Sequence, residues 1–257
     1  MKLHYIALLL IVTFSFCEQE NSQGTYGNEP AIGFNLEASD QKAIEIADLV
    51  MEAMGGRQAW DQTRFIKWNF FGARKLLWDK HTGWVRIEDQ GSDLRINVNV
   101  YQEPLQGKVS KGGTLFENAD SLAYYLDRGN RIWINDSYWL VMPFKLKDSG
   151  VTLTYEQEDT LMTGEKATKL RLTFEGVGVT PQNAYDVWVS KSDTLVRQWA
   201  YYREAFDTVP MFVYPWDDYS KFGHIKLSGN RGTRNLSEIE VLDSVSATIF
   251  SSFDEEI

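Results

Sequence analysis

The strict alternation of residues 93–101 constrains the fold of this chain more than any other sequence feature. Successive side chains of a β-strand point to opposite faces, so this segment has one apolar and one polar face. Such a pattern is typical of an antiparallel sheet that buries a single face, which must then be covered by helices, a second sheet or barrel closure. The apolar positions are Leu94, Ile96, Val98 and Val100.

Strand patterns recur along the chain on both sides of a helical middle region. Residues 107–113 are rich in glycine and are predicted to form a loop. We therefore expect about nine to eleven antiparallel strands in total. The predicted strands are 64–72, 75–79, 84–88, 93–101, 151–157, 166–175, 184–190, 195–203, 211–216, 221–227 and 238–243.

Two segments predict helices. The first covers 40–54, is apolar on nearly every side and ends at two glycines. The second begins after Asn118, a good N-cap residue, and extends from Ala119 to about residue 128. Residues 131–142 are ambiguous between continuation of this helix to about residue 134 and a hairpin around 135–137.

These elements predict an α+β fold with a curled antiparallel sheet, an incomplete β-barrel whose concave face is covered by helices. We expect residues 39–257 to form a single domain, since no composition break divides them. Residues 18–38 are polar and aperiodic, which predicts a flexible tether. An opening between the helices and the sheet would be an apolar slot.

The N-terminus reads as an export signal over residues 1–17. Lys2 precedes an apolar run, residues 6–16, that is too short to span a bilayer. Cys17, the only cysteine, follows this run and is a candidate for lipidation, although Phe16 stands where a lipoprotein signal has a small residue. Simple cleavage after Cys17 is the alternative. Either interpretation predicts that the protein is exported and works outside the cytoplasm.

Composition and motifs exclude several functional classes. A net charge of −10 makes the chain a poor ligand for nucleic acid. His81 and His224 lie in no metal-ligand spacing, and phosphate-loop, nucleophile-elbow and dinucleotide-binding motifs are missing from the sequence. We therefore predict no cofactor, no metal and no enzymatic activity.

One run in the middle of the chain resembles a known family. Residues 135–140 (NDSYWL), 142–148 (MPFKLKD) and 150–151 (GV) are similar to a set of secreted Bacteroidota proteins placed near the LolA/LolB superfamily of lipoprotein carriers. The resemblance covers about residues 40–250 and implies a LolA-like fold that holds lipid. It also implies a location in the periplasm or outer membrane of a Gram-negative bacterium. Arg64 and Arg74 are the candidates for the arginine that these carriers link to ligand binding.

The candidate ligand-binding residues are of two kinds. Apolar residues of the first strands and of the middle segment are predicted to line an acyl slot or, alternatively, to form an ordinary packed core. Two lysines are predicted at the slot mouth, where they would pair with a phosphate or carboxylate, or else lie on a solvated face. The apolar set is Ile66, Trp68, Phe70, Leu94, Ile96, Val98, Trp133 and Trp139, and the lysines are Lys145 and Lys147.

The sequence thus predicts a non-enzymatic envelope protein whose partner is a lipid or an acylated ligand, with membrane attachment through Cys17 if that residue is lipidated. Oligomeric state is left open. One alternative is an interaction module that binds glycan or protein through surface aromatics such as Trp216, within the aromatic and acidic cluster 214–219. A hydrolase assembled from distant carboxylates is the other alternative.

Overall fold

The structure is a computed structural model, and it describes residues 27–257. Three helices, a short 3-10 turn at Met142–Lys145 and fourteen strands form the described part of the chain. The helices are α1 (Gln41–Ala53), α2 (Arg57–Gln62) and α3 (Ala119–Val141). The strands are β1 (Phe65–Phe70), β2 (Arg74–Asp79), β3 (Trp84–Asp89), β4 (Leu94–Asn99), β5 (Gln106–Lys111), β6 (Thr114–Leu115), β7 (Val151–Thr160), β8 (Lys166–Phe174), β9 (Ala184–Ser190), β10 (Val196–Tyr202), β11 (Phe212–Pro215), β12 (Asp217–Phe222), β13 (Ile225–Arg231) and β14 (Arg234–Leu242).

The strands form two antiparallel sheets. The larger has nine strands in the order β12-β13-β14-β1-β2-β3-β4-β5-β6, and the smaller has five in the order β11-β10-β9-β8-β7. The large sheet is curled and does not close, since its edge strands β12 and β6 are not paired with each other. The predicted α+β class with an open, curled antiparallel sheet is therefore confirmed.

More strands form than the sequence indicates, for two local reasons. Residues 107–113, predicted as a loop, instead contribute β5 and part of the β5–β6 hairpin. Residues 221–227, predicted as one strand, contain a turn at Gly223, whose φ of +58° suits glycine, and this turn separates β12 from β13.

Helix α3 lies between the two sheets and extends well beyond its predicted end. Its N-cap is Asn118, whose side chain accepts a hydrogen bond from the Ser121 amide at 2.9 Å. The helix continues to Val141 and packs on β4 and β5. Gly129 permits this approach, because a methyl group there would lie only 2.9 Å from Ile96 Cγ2. The alternative of a hairpin around 135–137 is wrong.

The described N-terminal residues run beside β7 rather than away from the body. The Ala31 amide donates to the Lys147 carbonyl, and the Asn35 amide donates to the Val151 carbonyl. The part of the predicted tether that the structure describes is therefore held by backbone pairing. The export signal and Cys17 lie outside the described residues.

The outer face of the large sheet is covered by the C-terminal segment, residues 244–257. Asn97 and Asn99 alternate with the apolar residues of 93–101 and so belong to its predicted polar face, yet both are buried. Arg86, which is fully buried, donates to the carbonyls of Ser252 and Glu255 in this segment. Both faces of the large sheet are therefore buried near β3 and β4.

Candidate functional site

A cleft lies between α3 and the five-stranded sheet. Its volume is about 520 Å³, within the range of about 300–1,000 Å³ that is usual for ligand sites. Its walls come from the second half of α3, the segment 145–151, the β8–β9 loop and the adjoining ends of the small sheet. The lining residues are Trp133, Ile134, Asn135, Ser137, Tyr138, Trp139, Lys145, Asp148, Ser149, Val151, Phe174, Val177, Gly178, Val179, Thr180, Asn183, Tyr185, Trp199, Tyr201 and Phe212.

Strand register places the aromatic floor of this cleft. Tyr201 on β10 lies opposite Tyr185 on β9 and opposite Phe212 on β11. Directly paired residues share one face of a sheet, so the three rings form a row across three strands. The ring centroids of Tyr201 lie 5.4 Å from Tyr185 and 5.3 Å from Phe212. Trp199, two residues earlier, extends this floor and stacks on Tyr185 at 5.4 Å.

Helix α3 supplies the facing wall. The Tyr138 ring lies 5.2 Å from the Tyr185 ring, and the Trp139 ring lies 4.8 Å from the Trp199 ring in an edge-to-face arrangement. Such aromatic pairs add about 0.5–1.5 kcal/mol each beyond the area they bury. The wall and the floor therefore support each other beside the cleft.

Unpaired polar atoms are concentrated at this cleft. Eight buried side-chain atoms in the described part of the chain have no hydrogen-bond partner, and four belong to residues that line the cleft. Buried polar groups are nearly always paired in folded proteins, so a group of exceptions beside one cleft requires an explanation. The four atoms are Trp133 Nε1, the Tyr138 hydroxyl oxygen, Asn183 Oδ1 and Trp199 Nε1.

Tyr138 and Tyr185, which both line the cleft, have a raised pKa and remain protonated at ordinary pH. Burial, with smaller contributions from Tyr185 and Asp148, raises the pKa of Tyr138 well above its usual value. Burial likewise raises the pKa of Tyr185, and Tyr201 adds to this effect. The cleft therefore offers neutral aromatic surface.

Charge near the rim is largely compensated. Lys145 lines the cleft and forms an ion pair with Asp148. In the same region the Lys80 ammonium lies 4.3 Å from the Trp60 ring centroid. Burial lowers the pKa of Lys80 to about 8, and the neighbouring cations Arg57 and Lys145 act in the same direction.

The structure brings together three of the ten residues predicted to bind a ligand. Trp133, Trp139 and Lys145 line the cleft. Lys147 is buried instead and pairs with Asp48 at 2.5 Å. The remaining six are buried in the main hydrophobic core and are not among the lining residues; they are Ile66, Trp68, Phe70, Leu94, Ile96 and Val98.

The sequence analysis missed most of the aromatic floor. The missed residues lie at one end of the strands of the small sheet, where β8 ends, β9 begins, β10 ends and β11 begins. They are Phe174, Tyr185, Tyr201 and Phe212. The alternation of large aromatic residues in the later strands was a usable signal. The sequence does not predict that these residues come together at α3, because this depends on the curl of the sheets.

Other candidates occupy structural positions. Trp216, proposed as a surface tryptophan, is fully buried and packs 3.4 Å from the Arg231 guanidinium. Nearby, Asp217 pairs with Arg197 at 2.8 Å. That part of the glycan alternative is therefore wrong.

The two arginines considered for ligand binding are both paired. Arg64 binds Asp79 at 2.9 Å, and Arg74 binds Asp136. Among the described residues, no group of three or more His, Cys, Asp or Glu side chains has a geometry that could hold a metal ion. No helix in the described range is sufficiently long and apolar to cross a bilayer.

The fold and the cleft define an α+β protein whose open, curled antiparallel sheet and central helix border an aromatic cleft of ligand size. No family model matches the chain, and no curated protein matches it. Several solved structures are similar to it, and two of them are described here. A DUF1329 family protein from Desulfovibrio piger has 14% identity and a TM-score of 0.44, with 81% of this chain and 96% of that chain covered. A domain named for outer membrane lipoprotein sorting, from Vibrio parahaemolyticus, has 9% identity and a TM-score of 0.42, with 82% and 96% covered.

Proposed function

We propose that this chain is a non-enzymatic cell-envelope protein that binds a lipid, or the acyl chain of a lipoprotein, in the aromatic cleft. The cleft is the observation that supports this proposal. Its floor and wall are aromatic rings that offer apolar surface, and Lys145 in its lining is paired with Asp148. In the same proposal the chain is exported and is attached to a membrane if Cys17 is lipidated.

Burial of methylene groups would drive binding. Each buried methylene contributes about 0.8 kcal/mol, which corresponds to about fourfold in affinity. Affinity for a series of fatty acyl probes should therefore rise with chain length and stop rising when the cleft is full. A plateau is expected because its volume of about 520 Å³ is finite.

The experiment compares a cleft variant with a matched surface variant. Val179 lies in the β8–β9 loop at the cleft and is 41% exposed, whereas Val209 is 76% exposed and does not line the cleft. We expect Val179→Trp to reduce uptake of a pyrene-labelled fatty acyl probe by about tenfold or more, because the indole occupies the opening. Val209→Trp should bind like wild type.

Two outcomes would contradict the proposal. Wild-type protein that takes up no acyl probe of any length does not function as a lipid carrier. Equal binding by the two tryptophan variants would place the ligand outside the cleft. Glycan binding without lipid uptake would instead favour the interaction-module alternative.

A further inference from the structure

The aromatic cleft lies at one end of the strands of the small sheet. Each of the five strands contributes a lining residue at or next to this end. Neighbouring strands lie about 4.8 Å apart, so the five strand ends extend over about 20 Å. The connections between strands at this end therefore border the cleft. The five lining residues are Val151, Phe174, Tyr185, Tyr201 and Phe212.

Two loops at this end expose large apolar side chains to water. The β8–β9 loop, residues 175–183, exposes Val179, and the β10–β11 loop, residues 203–211, exposes Phe206 and Met211. The exposed fraction is 82% for Phe206 and 57% for Met211. Single exposed apolar side chains are common on proteins, but several of them on neighbouring loops beside one cleft indicate a binding surface.

A third segment adds Ile32, which is almost fully exposed. The carbonyl of the next residue, Gly33, accepts a hydrogen bond from the Gly150 amide at 2.8 Å, and Gly150 directly precedes β7. Ile32 therefore lies at the same end of the small sheet as the two loops. A lipid anchor at Cys17, which belongs to the proposed function, would be joined to the body of the protein at this end.

The β10–β11 loop is held by its own hydrogen bonds. The Glu204 amide donates to the Asp207 carboxylate at 3.0 Å, and the Asp207 amide donates to the Glu204 carbonyl at 3.0 Å. The Arg171 guanidinium donates to the Ala205 carbonyl at 2.7 Å. Polar backbone groups that are already paired can approach an apolar phase at low cost. The loop can therefore present the Phe206 ring to such a phase without breaking these bonds.

The charge of these loops determines which partner they suit. Together they contain one arginine and three acidic side chains, so they have no electrostatic attraction for an anionic surface. Apolar contact with an uncharged surface is the remaining mode of attachment. A bilayer is favoured over a protein, because the exposed side chains border a cleft that is proposed to hold lipid, and a membrane is the source of such a ligand.

We infer that the β10–β11 loop inserts Phe206 and Met211 into a bilayer of zwitterionic lipid and so places the cleft against the membrane. Ile32 and Val179 extend this contact along the other strand ends. The choice of a bilayer as the partner rests on the proposed lipid-binding function. The contact itself is separate both from the cleft and from an anchor at Cys17.

The test places the environment-sensitive fluorophore NBD on one cysteine at a time in the full-length chain. Cys17→Ser removes the only native cysteine and with it any lipid anchor. Phe206→Cys and Met211→Cys, each made in this background, report on the β10–β11 loop. Both side chains are already exposed, so neither substitution removes core packing.

Tyr124→Cys and Met162→Cys, made in the same background, are the matched controls. Tyr124 is 65% exposed and Met162 is 61% exposed. Tyr124 lies in the first half of α3, whereas the second half of that helix lines the cleft. Met162 lies in the β7–β8 turn, at the opposite end of the small sheet. All four proteins keep the same N-terminal residues, so attachment through those residues would be common to all.

The vesicles consist first of phosphatidylcholine alone. We expect NBD at positions 206 and 211 to shift its emission to shorter wavelength and to be quenched by nitroxide-labelled lipid. NBD at positions 124 and 162 should show neither effect. Replacement of part of the phosphatidylcholine by anionic phosphatidylglycerol should not strengthen the response, since acidic side chains outnumber basic ones in the two loops.

Several results would overturn the membrane contact. Equal responses at all four positions would do so, as would no response at 206 and 211. A response that requires phosphatidylglycerol would contradict apolar insertion into a neutral bilayer. A shift that depends on protein concentration and needs no vesicles would assign this surface to a second copy of the chain.

Uptake of a fluorescent acyl probe by the same proteins separates this inference from the proposed function. Insertion at 206 and 211 without probe uptake would support the membrane contact and contradict lipid binding in the cleft. Probe uptake without insertion would support the cleft and overturn the membrane contact. Thermal unfolding of the four labelled proteins confirms that each is folded.

Discussion

The guanidinium of Arg74 contacts both carboxylate oxygens of Asp136, at 2.5 Å and 2.8 Å, and so joins strand β2 to the middle of helix α3. Asp136 is fully buried, and its carboxylate also accepts a hydrogen bond from the side-chain amide of Asn135 at 2.8 Å. The flanking residues Asn135 and Ser137 line the cleft. This ion pair therefore sets the position of the helical wall relative to the large sheet.

We expect Arg74→Met to lower the free energy of unfolding by about 3–5 kcal/mol, because it leaves a buried carboxylate without its cation. Arg131→Met is the matched control, since Arg131 forms an exposed pair with Asp127 on the same helix, and it should cost less than about 0.5 kcal/mol. Urea denaturation measures both. The double variant Arg74→Met/Asp136→Leu should recover much of the loss, and strictly additive costs would contradict this description of the pair.

The pH dependence of the free energy of unfolding should show the effect of the lowered pKa of Lys80. The pKa of this residue is about 8 in the folded protein and about 10.4 when unfolded, so the unfolded state binds more protons between these values. Its contribution therefore increases the free energy of unfolding as pH rises from about 8 to 10.5, and the penalty for burying the charge is fully present below pH 8. We expect the advantage of Lys80→Met over wild type to shrink across this interval in urea titrations. A constant difference between the two proteins would be inconsistent with the lowered pKa.

The C-terminal segment should depend on Arg86. The guanidinium donates to the carbonyls of Ile249, Ser252 and Glu255 and to the Glu88 carboxylate. Arg86→Met should cost about 3–5 kcal/mol, because it leaves a buried carboxylate and buried carbonyls unpaired. It should also expose residues 244–257 to limited proteolysis.

Arg95→Met provides the control for that substitution. Arg95 is partly exposed and donates to the Phe253 carbonyl at 3.0 Å, so its replacement should cost no more than about 1 kcal/mol. Equal stability losses in the two methionine variants would contradict the role assigned to the buried guanidinium.

A single methyl group on β5 should disturb the contact between α3 and the large sheet. A methyl group at Gly107 would overlap the Asn97 carbonyl oxygen and would lie 2.7 Å from Leu126 Cδ2. We expect Gly107→Ala to destabilise the protein by about 1–3 kcal/mol through overpacking. Gly91→Ala, whose nearest neighbour would be Asp89 Oδ1 at 3.6 Å, should lie within about 0.5 kcal/mol of wild type. Similar melting temperatures for the two variants would refute the close packing at β5.

Local sequence patterns correctly predicted those elements whose signal lies within their own residues. The alternation of 93–101 gave β4, and Asn118 marked the start of α3 correctly. The end of α3 was missed because residues 132–134 are Ile, Trp and Ile, which favour strands, and because Gly129 suggests an interruption. Packing of that glycine on Ile96 overrides both local signals.

The site was less predictable, because its walls come from distant parts of the chain. Trp133 and Trp139 were identified from the ambiguous middle segment, which is part of helix α3 and borders the cleft. The floor across β9, β10 and β11 requires knowledge of strand pairing. Asp136 and Arg74 are 62 positions apart, and nothing in either local sequence marks them as partners. Covering of the polar side of β4 by the C-terminal segment is likewise a long-range effect.

Native mass spectrometry of the purified full-length chain tests lipid binding in the cleft most directly. We expect wild type and Val209→Trp to carry a non-covalent lipid adduct, and Val179→Trp to lose it while it remains folded. An adduct of equal abundance in Val179→Trp, or wild-type protein that carries no lipid and acquires none on incubation with lipid vesicles, would contradict the proposed function.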